Sequence, residues 1–438
     1  MSYSLEVVYG LEVIGKLTQH IDTGLLELSY SQKWQESGFA VSPALTFEKQ
    51  HDKAAAYNFL DNLLPEGEAR KLLAQDIGVN EKQIFPQVRA IGNDLSGAFS
   101  FISDQVLSVN KATFRLIKEE ELIHRLDHKE DIGLLQWDEK PRLSVAGVQD
   151  KLNVFLNEQG EIGLADGTIS STYILKFERE NCVHLVINEY FCMKLSQLVG
   201  LPTSEVTLKR FGQHPALLVK RFDRKYDVIN NKVLRKHVID GCQALKLPRD
   251  YKYERNLGDG RDVKHIRDGT SLEKLFSFCR KSSEPIVNMQ WLINWQLFNL
   301  LISNYDSHGK NVSFFYGANE SVFTPAYDLV NVAMFDQFKH TLAMAMGDEF
   351  EPDTINAYQL ADFADSCQLD RKLVSRMLIK LATKVLKKLA ENTIVSELET
   401  MEIISQKEAD YLYQVSENIK KRTLHLLEQA DEVVFIEL

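Results

Sequence analysis

The sequence lacks most of the short patterns that announce a chemistry. It has no CxxC pair, no HExxH run, no GxSxG elbow and no GxGxxG stretch. Zinc-finger, metalloprotease and α/β-hydrolase readings therefore lose their main support. Its five cysteines, Cys182, Cys192, Cys242, Cys279 and Cys367, are odd in number and widely spaced, so they form no disulfide framework and point to a reducing compartment. His184 follows Cys182 closely, but no companion pair exists to complete a metal site. The start carries no charged leader before an apolar stretch, and no run approaches the ~18 uninterrupted apolar residues of a membrane span. A cytoplasmic protein with no membrane contact is expected. Positive charge is also in deficit: 51 Lys and Arg against 62 Asp and Glu leave a net charge of −11. That balance argues against a general nucleic-acid surface and suits a basic partner better.

What is present is ordinary globular material. The chain has 438 residues, 44% hydrophobic and 26% charged, enough for two or three domains around sizeable cores. Residues 4–30 alternate apolar and polar side chains, which predicts a small antiparallel sheet. From Lys53 the period becomes helical, stops at Pro65-Glu66-Gly67, and resumes in two short helices to about Arg89. Gly97–Ile102 reads as a strand. The spacing of Gly92 and Gly97 is Walker-like, but Ala98 stands in the lysine position, so the stretch reads as a turn. Residues 1–110 thus make an α+β subdomain, and 104–140 a charged connector with a helix over Leu116–Leu126.

The region 111–222 reads as strand, loop, strand, turn and strand. Leu143 and Val145 precede a small-residue loop, Leu152, Val154 and Leu156 follow it, and Asn157–Gly160 is a hairpin turn. Further strands are expected at Thr172–Phe177 and Leu217–Phe222, with a helix from His184 to Val199 stopped by Gly200-Leu201-Pro202. Backbone amides near Ala146 and Gly147 can approach phosphates, and Lys151 and Lys176 can neutralise them. A plain β-turn, a surface Lys151 and an edge-strand Lys176 reaching solvent account for the same residues. Glu189 could pair with Lys176 or lie on a solvated helix face. From Arg224 the chain reads as mainly helical, interrupted by an irregular stretch at 248–270. Helices at 271–281, 288–303, 355–364, 369–391 and 405–430 make 223–438 an α-rich lobe.

Within that lobe lies the stretch on which a function can be built. Met289–Ile302 is apolar nearly all round, the mark of a buried helix, and it leads into Asn304-Tyr305-Asp306-Ser307-His308-Gly309-Lys310-Asn311. Phosphoryl transfer needs an aspartate to orient the attacking hydroxyl, an asparagine shortly after it to hold Mg²⁺, and a second aspartate to complete the metal shell. Asp306, Asn311 and Asp328 supply that set in order. A helix-terminating turn, with Gly309 left-handed and His308 bonded to backbone, is the alternative, as is a simple turn after Pro325 for Asp328.

Six ordered motifs together resemble the HipA family, the kinase toxins of bacterial toxin–antitoxin modules. They are Arg142–Lys151, Tyr173–Lys176, Val219–Arg224, Asp240–Gln243, Asp306–Asn311 and Tyr327-Asp328; Asn58–Pro65 and Ile91–Asp94 match as well. The resemblance implies an α+β, two-lobed, protein-kinase-like fold and a Ser/Thr protein kinase using ATP and Mg²⁺. By motif match, Asp306 is the catalytic aspartate, Asn311 and Asp328 are the Mg²⁺ ligands, and Lys176 meets the ATP phosphates. Lys151 and the loop Val145-Ala146-Gly147-Val148-Gln149 lie over the phosphates. His308 and Tyr327 stand beside the nucleotide, and Lys220 to Phe222 run along the adenine through the backbone. Ser144 occupies the autophosphorylation site, whose modification shuts the family's enzymes down.

The resemblance also implies partners: a HipB-like DNA-binding antitoxin, DNA only through it, and a translation protein such as glutamyl-tRNA synthetase as substrate. Ser307 replaces a glycine common after the catalytic aspartate, and Lys220 an acidic residue. A silent pseudokinase serving as antitoxin-binding corepressor, or a small-molecule or lipid kinase, are the rival functions.

Overall fold

Alternation over the first thirty residues closes into a sheet because each apolar position faces one core. Strand β1 (Ser2–Tyr9) turns through Gly10, at φ +62°, into the antiparallel β2 (Glu12–His20), which pairs with β3 (Leu26–Tyr30). The left-handed turn is where glycine is needed. Helices Ala55–Leu63, Gly67–Asp76 and Ile84–Ile91 follow, and β4 (Phe99–Ile102) returns along β1, giving the order β3-β2-β1-β4. Every element expected here is present. The computed structural model describes residues 2–48, 52–103, 111–129, 134, 136–138, 140–141 and 150–438. The expected phosphate loop, Ser144 to Gln149, lies outside the described residues.

The stretch read as a connector does more than connect. β5 (Thr113–Leu116) joins a second sheet and precedes a helix at Glu119–Asp127, so the expected helix begins later and its first residue belongs to the strand. Then come a short pair, β6 (Gln136–Trp137) and β7 (Lys140–Pro141), followed by β8 (Lys151–Leu156), β9 (Ile162–Asp166) and β10 (Tyr173–Phe177). The chain re-enters along β11 (Val206–Phe211) to β12 (His214–Lys220), and the sheet runs β12-β10-β8-β9-β5. Its core is Leu152, Val154, Leu175, Phe177, Ala216 and Leu218 against Leu122, Leu126 and Trp137.

Between Arg224 and Asp240, ahead of the expected helices, the chain is not helical. A hairpin forms instead, β13 (Arg224–Asp227) with β14 (Lys232–Arg235), turning where Asn231 takes φ +46°. Asparagine tolerates that conformation because its side chain can bond locally; here Tyr226 donates to it at 3.0 Å.

The chain divides into two compact units: residues 1–179, 209–239 and 315–320, which hold these sheets, and 180–208, 240–314 and 321–438. The second is mainly helical. Arg371–Glu391 packs on Gln406–Gln429, on Pro285–Leu301 and on Leu185–Val199. Leu272–Arg280, Ala357–Ser366 and an unexpected Thr393–Thr400 complete the set. The irregular stretch holds a single 3₁₀ turn at Arg249–Tyr251 before Leu272. Among the described residues no helix is long and apolar enough to cross a membrane.

Candidate active site

In the helical unit the site grows from the end of Pro285–Leu301. Trp295, Leu297 and Phe298 of that helix are fully buried, so its end is fixed in the core. Ser303 takes φ +56°, which turns the chain out of the helix. Asn304 then re-anchors it: its N–H donates to the Asn299 carbonyl at 2.8 Å and its Nδ2 to Asn299 Oδ1 at 2.8 Å and the Asp328 carbonyl at 3.4 Å. One amide thus links the start of the Asp306 loop to Asp328.

Asp306 is exposed, while Tyr305 and the residues from Ser307 to Asn311 are buried. A rigid loop presents one carboxylate to solvent. The Asn311 Nδ2 donates to the Asp306 carbonyl at 2.9 Å. That bond commits the amide nitrogen to the loop, which makes Oδ1 the acceptor atom of the side chain. His308 Nδ1 accepts from the Lys310 N–H at 3.2 Å, so this histidine is indeed backbone-bonded. Lys310 is buried and paired at 2.5 Å with Asp240, whose other oxygen caps the Gly241–Ala244 turn through the Gln243 N–H at 2.8 Å. The Tyr327 hydroxyl donates to the Lys310 carbonyl and meets Ser313 Oγ, both at 2.7 Å, and burial pushes its pKa well up. Tyr327-Asp328 is thereby bonded to the loop that carries Asp306.

Gly309 corrects one expectation. It is not left-handed; Ser303 and Asp328, at φ +56° and +58°, are. Glycine is required because a Cβ there would lie 2.5 Å from Thr270 Oγ1. Gly241 answers the same crowding, since its Cβ would lie 2.5 Å from the Gly309 carbonyl oxygen.

The irregular stretch supplies residues that sequence reasoning missed. The Lys252 carbonyl accepts the Gly309 N–H at 2.9 Å, the Tyr253 hydroxyl donates to Asp306 Oδ1 at 2.7 Å, and the Tyr253 ring stands edge-on to His308 at 5.1 Å. Next in line, buried Glu254 accepts from the Ala345 N–H at 2.8 Å and pairs with Arg267 at 2.5 Å. Burial raises its pKa despite these partners. The only available signal was the length of the stretch, which carries no periodicity.

The sheet unit holds its charges differently. The register of β10 on β8 sets Lys176 opposite Lys151. Both are buried, at 8% and 5% exposure, so neither the solvent-reaching nor the surface alternative holds. Residues directly opposite share a face, so the two side chains leave the sheet on the same side. Lys220 is exposed at the end of β12, and Phe222 stands edge-on to Phe315 at 6.0 Å. Arg221 forks onto Asp223 at 3.0 and 2.9 Å, and Arg224 reaches the same carboxylate at 2.5 Å. Burial alone would raise the Asp223 pKa, but the two guanidinium groups hold it well below the usual range. Arg224 also donates to the Leu95 and Gly97 carbonyls, which ties the Gly92–Gly97 turn to the β12 end.

A magnesium ion asks for one or two carboxylates and keeps several waters or phosphate oxygens. No group of three His, Cys, Asp or Glu side chains arranged for a metal occurs among the described residues. The oriented Asn311 amide and the Asp328 carboxylate fit the sparser magnesium pattern.

The chain resembles known proteins over most of its length. Residues 143–389 match the HipA-like C-terminal domain family and residues 5–102 the HipA N-terminal domain family. Over 435 residues the chain is 40% identical to the serine/threonine-protein kinase toxin HipA of Shewanella oneidensis, covering 99% of this chain and 98% of that protein. It is 27% identical over 388 residues to the putative kinase Y4mE of Sinorhizobium fredii, covering 86% and 89% of the two chains. Among solved structures it superposes on Shewanella oneidensis MR-1 HipA, in a complex of HipA, HipB and operator DNA. The TM-score is 0.89, with 40% identity, over 99% of this chain and 100% of that one.

Proposed function

The chain belongs to the HipA family and is a serine/threonine protein kinase of two-lobed α+β fold, and we propose that it transfers the ATP γ-phosphoryl group to a serine of a translation protein. The observation that carries this reading is Asp306, one exposed carboxylate on an otherwise buried loop to which Asn311 and Asp328 are tied.

Asp306 orients the acceptor hydroxyl and accepts its proton. Asn311 Oδ1 and Asp328 hold Mg²⁺, which when bound offsets charge on the phosphate oxygens. Lys176 and Lys151 meet the phosphates from the sheet, with Val145, Ala146, Gly147, Val148 and Gln149 above them through backbone amides. His308 and the ring of Tyr327 flank the nucleotide, whose adenine runs along Lys220 to Phe222. Most of the catalysis is positioning and electrostatics.

Self-phosphorylation at Ser144 ends activity by altering that loop. A HipB-like antitoxin neutralises the kinase and carries it to DNA, which the kinase meets only through that partner; the substrate is a cytoplasmic protein such as glutamyl-tRNA synthetase. The division into 1–110, 111–222 and 223–438 is functional: an amino-terminal subdomain, a phosphate-covering region and a catalytic lobe.

Incubation with γ-labelled ATP and Mg²⁺, offering protein, alcohol and lipid acceptors in parallel, tests the acceptor class. Label is expected on protein seryl groups. Label on alcohol or lipid alone overturns the reading, and ATP binding without transfer to any acceptor favours a silent corepressor.

A further inference from the structure

The segment Lys252-Tyr253-Glu254 lies far from Asp306 in sequence and carries none of the groups assigned above. Two of its residues nevertheless bond to the catalytic loop, and the third anchors them. The first holds it by backbone, Lys252 carbonyl to Gly309 N–H at 2.9 Å. The third anchors the segment on the other side, since Glu254 is buried with 2% exposure and bonded to Ala345 N–H and Arg267. Thr270 closes the base: its N–H donates to the Tyr251 carbonyl at 2.8 Å, and its side chain fills the space beside Gly309.

Between these two anchors sits Tyr253. Its ring rests edge-on against buried His308, and its hydroxyl donates to Asp306 Oδ1 at 2.7 Å. An exposed carboxylate on a short side chain otherwise samples several rotamers. A general base must hold one oxygen toward the proton it takes. We propose that Tyr253 is a positioning residue of the kinase reaction, which binds one oxygen of Asp306 so that the other faces the acceptor hydroxyl. This rests on the assignment of Asp306 as the base. It makes the irregular stretch part of the catalytic apparatus, and it predicts that the tyrosine hydroxyl matters more than its ring.

The test compares wild type, Tyr253→Phe and Asp306→Asn in self-phosphorylation and in transfer to dephosphorylated casein as a seryl acceptor. Thermal midpoint and ATP affinity are measured on each. Tyr253→Phe keeps the ring, so its midpoint and ATP affinity are expected to match wild type. Its kcat is expected to fall about tenfold, the worth of one hydrogen bond to a charged group, with KM for ATP unchanged. If Asp306→Asn is silent while Tyr253→Phe turns over at the wild-type rate, the positioning role is overturned and the base assignment stands. A faster Tyr253→Phe overturns it too, by making the tyrosine an occupant of the acceptor's place. If Asp306→Asn transfers as well as wild type, the base assignment itself falls, and the proposal with it.

Discussion

The catalytic loop of the helical unit and the sheet of the other unit hold their key charges differently. On the loop one carboxylate, Asp306, stands exposed while backbone and amide bonds from Asn304, Asn311 and Lys252 fix the chain beneath it. In the sheet unit the charges are themselves buried: Lys151 beside Lys176 by strand register, and Arg221 and Arg224 around Asp223. A group held by its surroundings can be exchanged with little effect on folding. A group that is itself part of the buried lattice cannot, and the sign of the effect depends on whether its neighbours carry like or opposite charge.

The largest contrast should come from Asp223→Ala. It leaves Arg221 and Arg224 buried without their shared carboxylate, so a loss of about 3–5 kcal/mol of stability is expected, read by denaturant unfolding. An equal loss on Asp306→Asn would erase the distinction between the units.

The next effect is one of pH. His237 is buried in the sheet unit, its Nε2 bonded to the Val41 carbonyl at 2.7 Å and its ring 4.5 Å from Phe99. Burial pushes its pKa down to about 4. The unfolded chain takes up that proton near pH 6.5, so the histidine's contribution is complete above that pH and is lost as pH falls toward 4. A shift of this size is worth on the order of 3 kcal/mol. Thermal midpoints measured from pH 7.5 to pH 5 should fall, and His237→Asn should flatten that slope; an unchanged slope would remove His237 as the titrating group.

Lys176→Met should show the smallest effect, one read on kinetics. Loss of the phosphate contact should lower kcat/KM for ATP by about one to two orders of magnitude, as for a charged hydrogen bond. A lower midpoint with unchanged kcat/KM would make Lys176 a structural residue.

Much of the fold is legible in the sequence. Alternation marked β1 to β3, and the apolar run of Met289 to Ile302 marked the buried helix, because each pattern follows from a single face meeting a single core. The burial of Lys151 and Lys176 was not legible, because a lysine in a strand reads alike at an edge and in the middle until strand order is known. The hairpin after Arg224 was missed because Tyr226, Val228, Ile229, Val233 and Leu234 do not alternate cleanly; Asn230-Asn231 was the overlooked turn signal. The alternative turn reading gave Gly309 a left-handed conformation it does not have; its crowding by Thr270 is a tertiary fact the sequence does not show. Tyr253 belongs to the same class: nothing local ties it to Asp306.

The central claim is that Asp306 is the base of an active kinase, and mass spectrometry of purified wild type and Asp306→Asn tests it most directly. Both proteins, shown to be unphosphorylated at the start, are incubated with Mg²⁺ and ATP, and intact masses and peptides are compared. A gain of roughly 80 Da, one phosphoryl group, on the Ser144 peptide of the wild type alone is predicted. Equal gain in both proteins, or none in a wild type that binds ATP, would contradict the account.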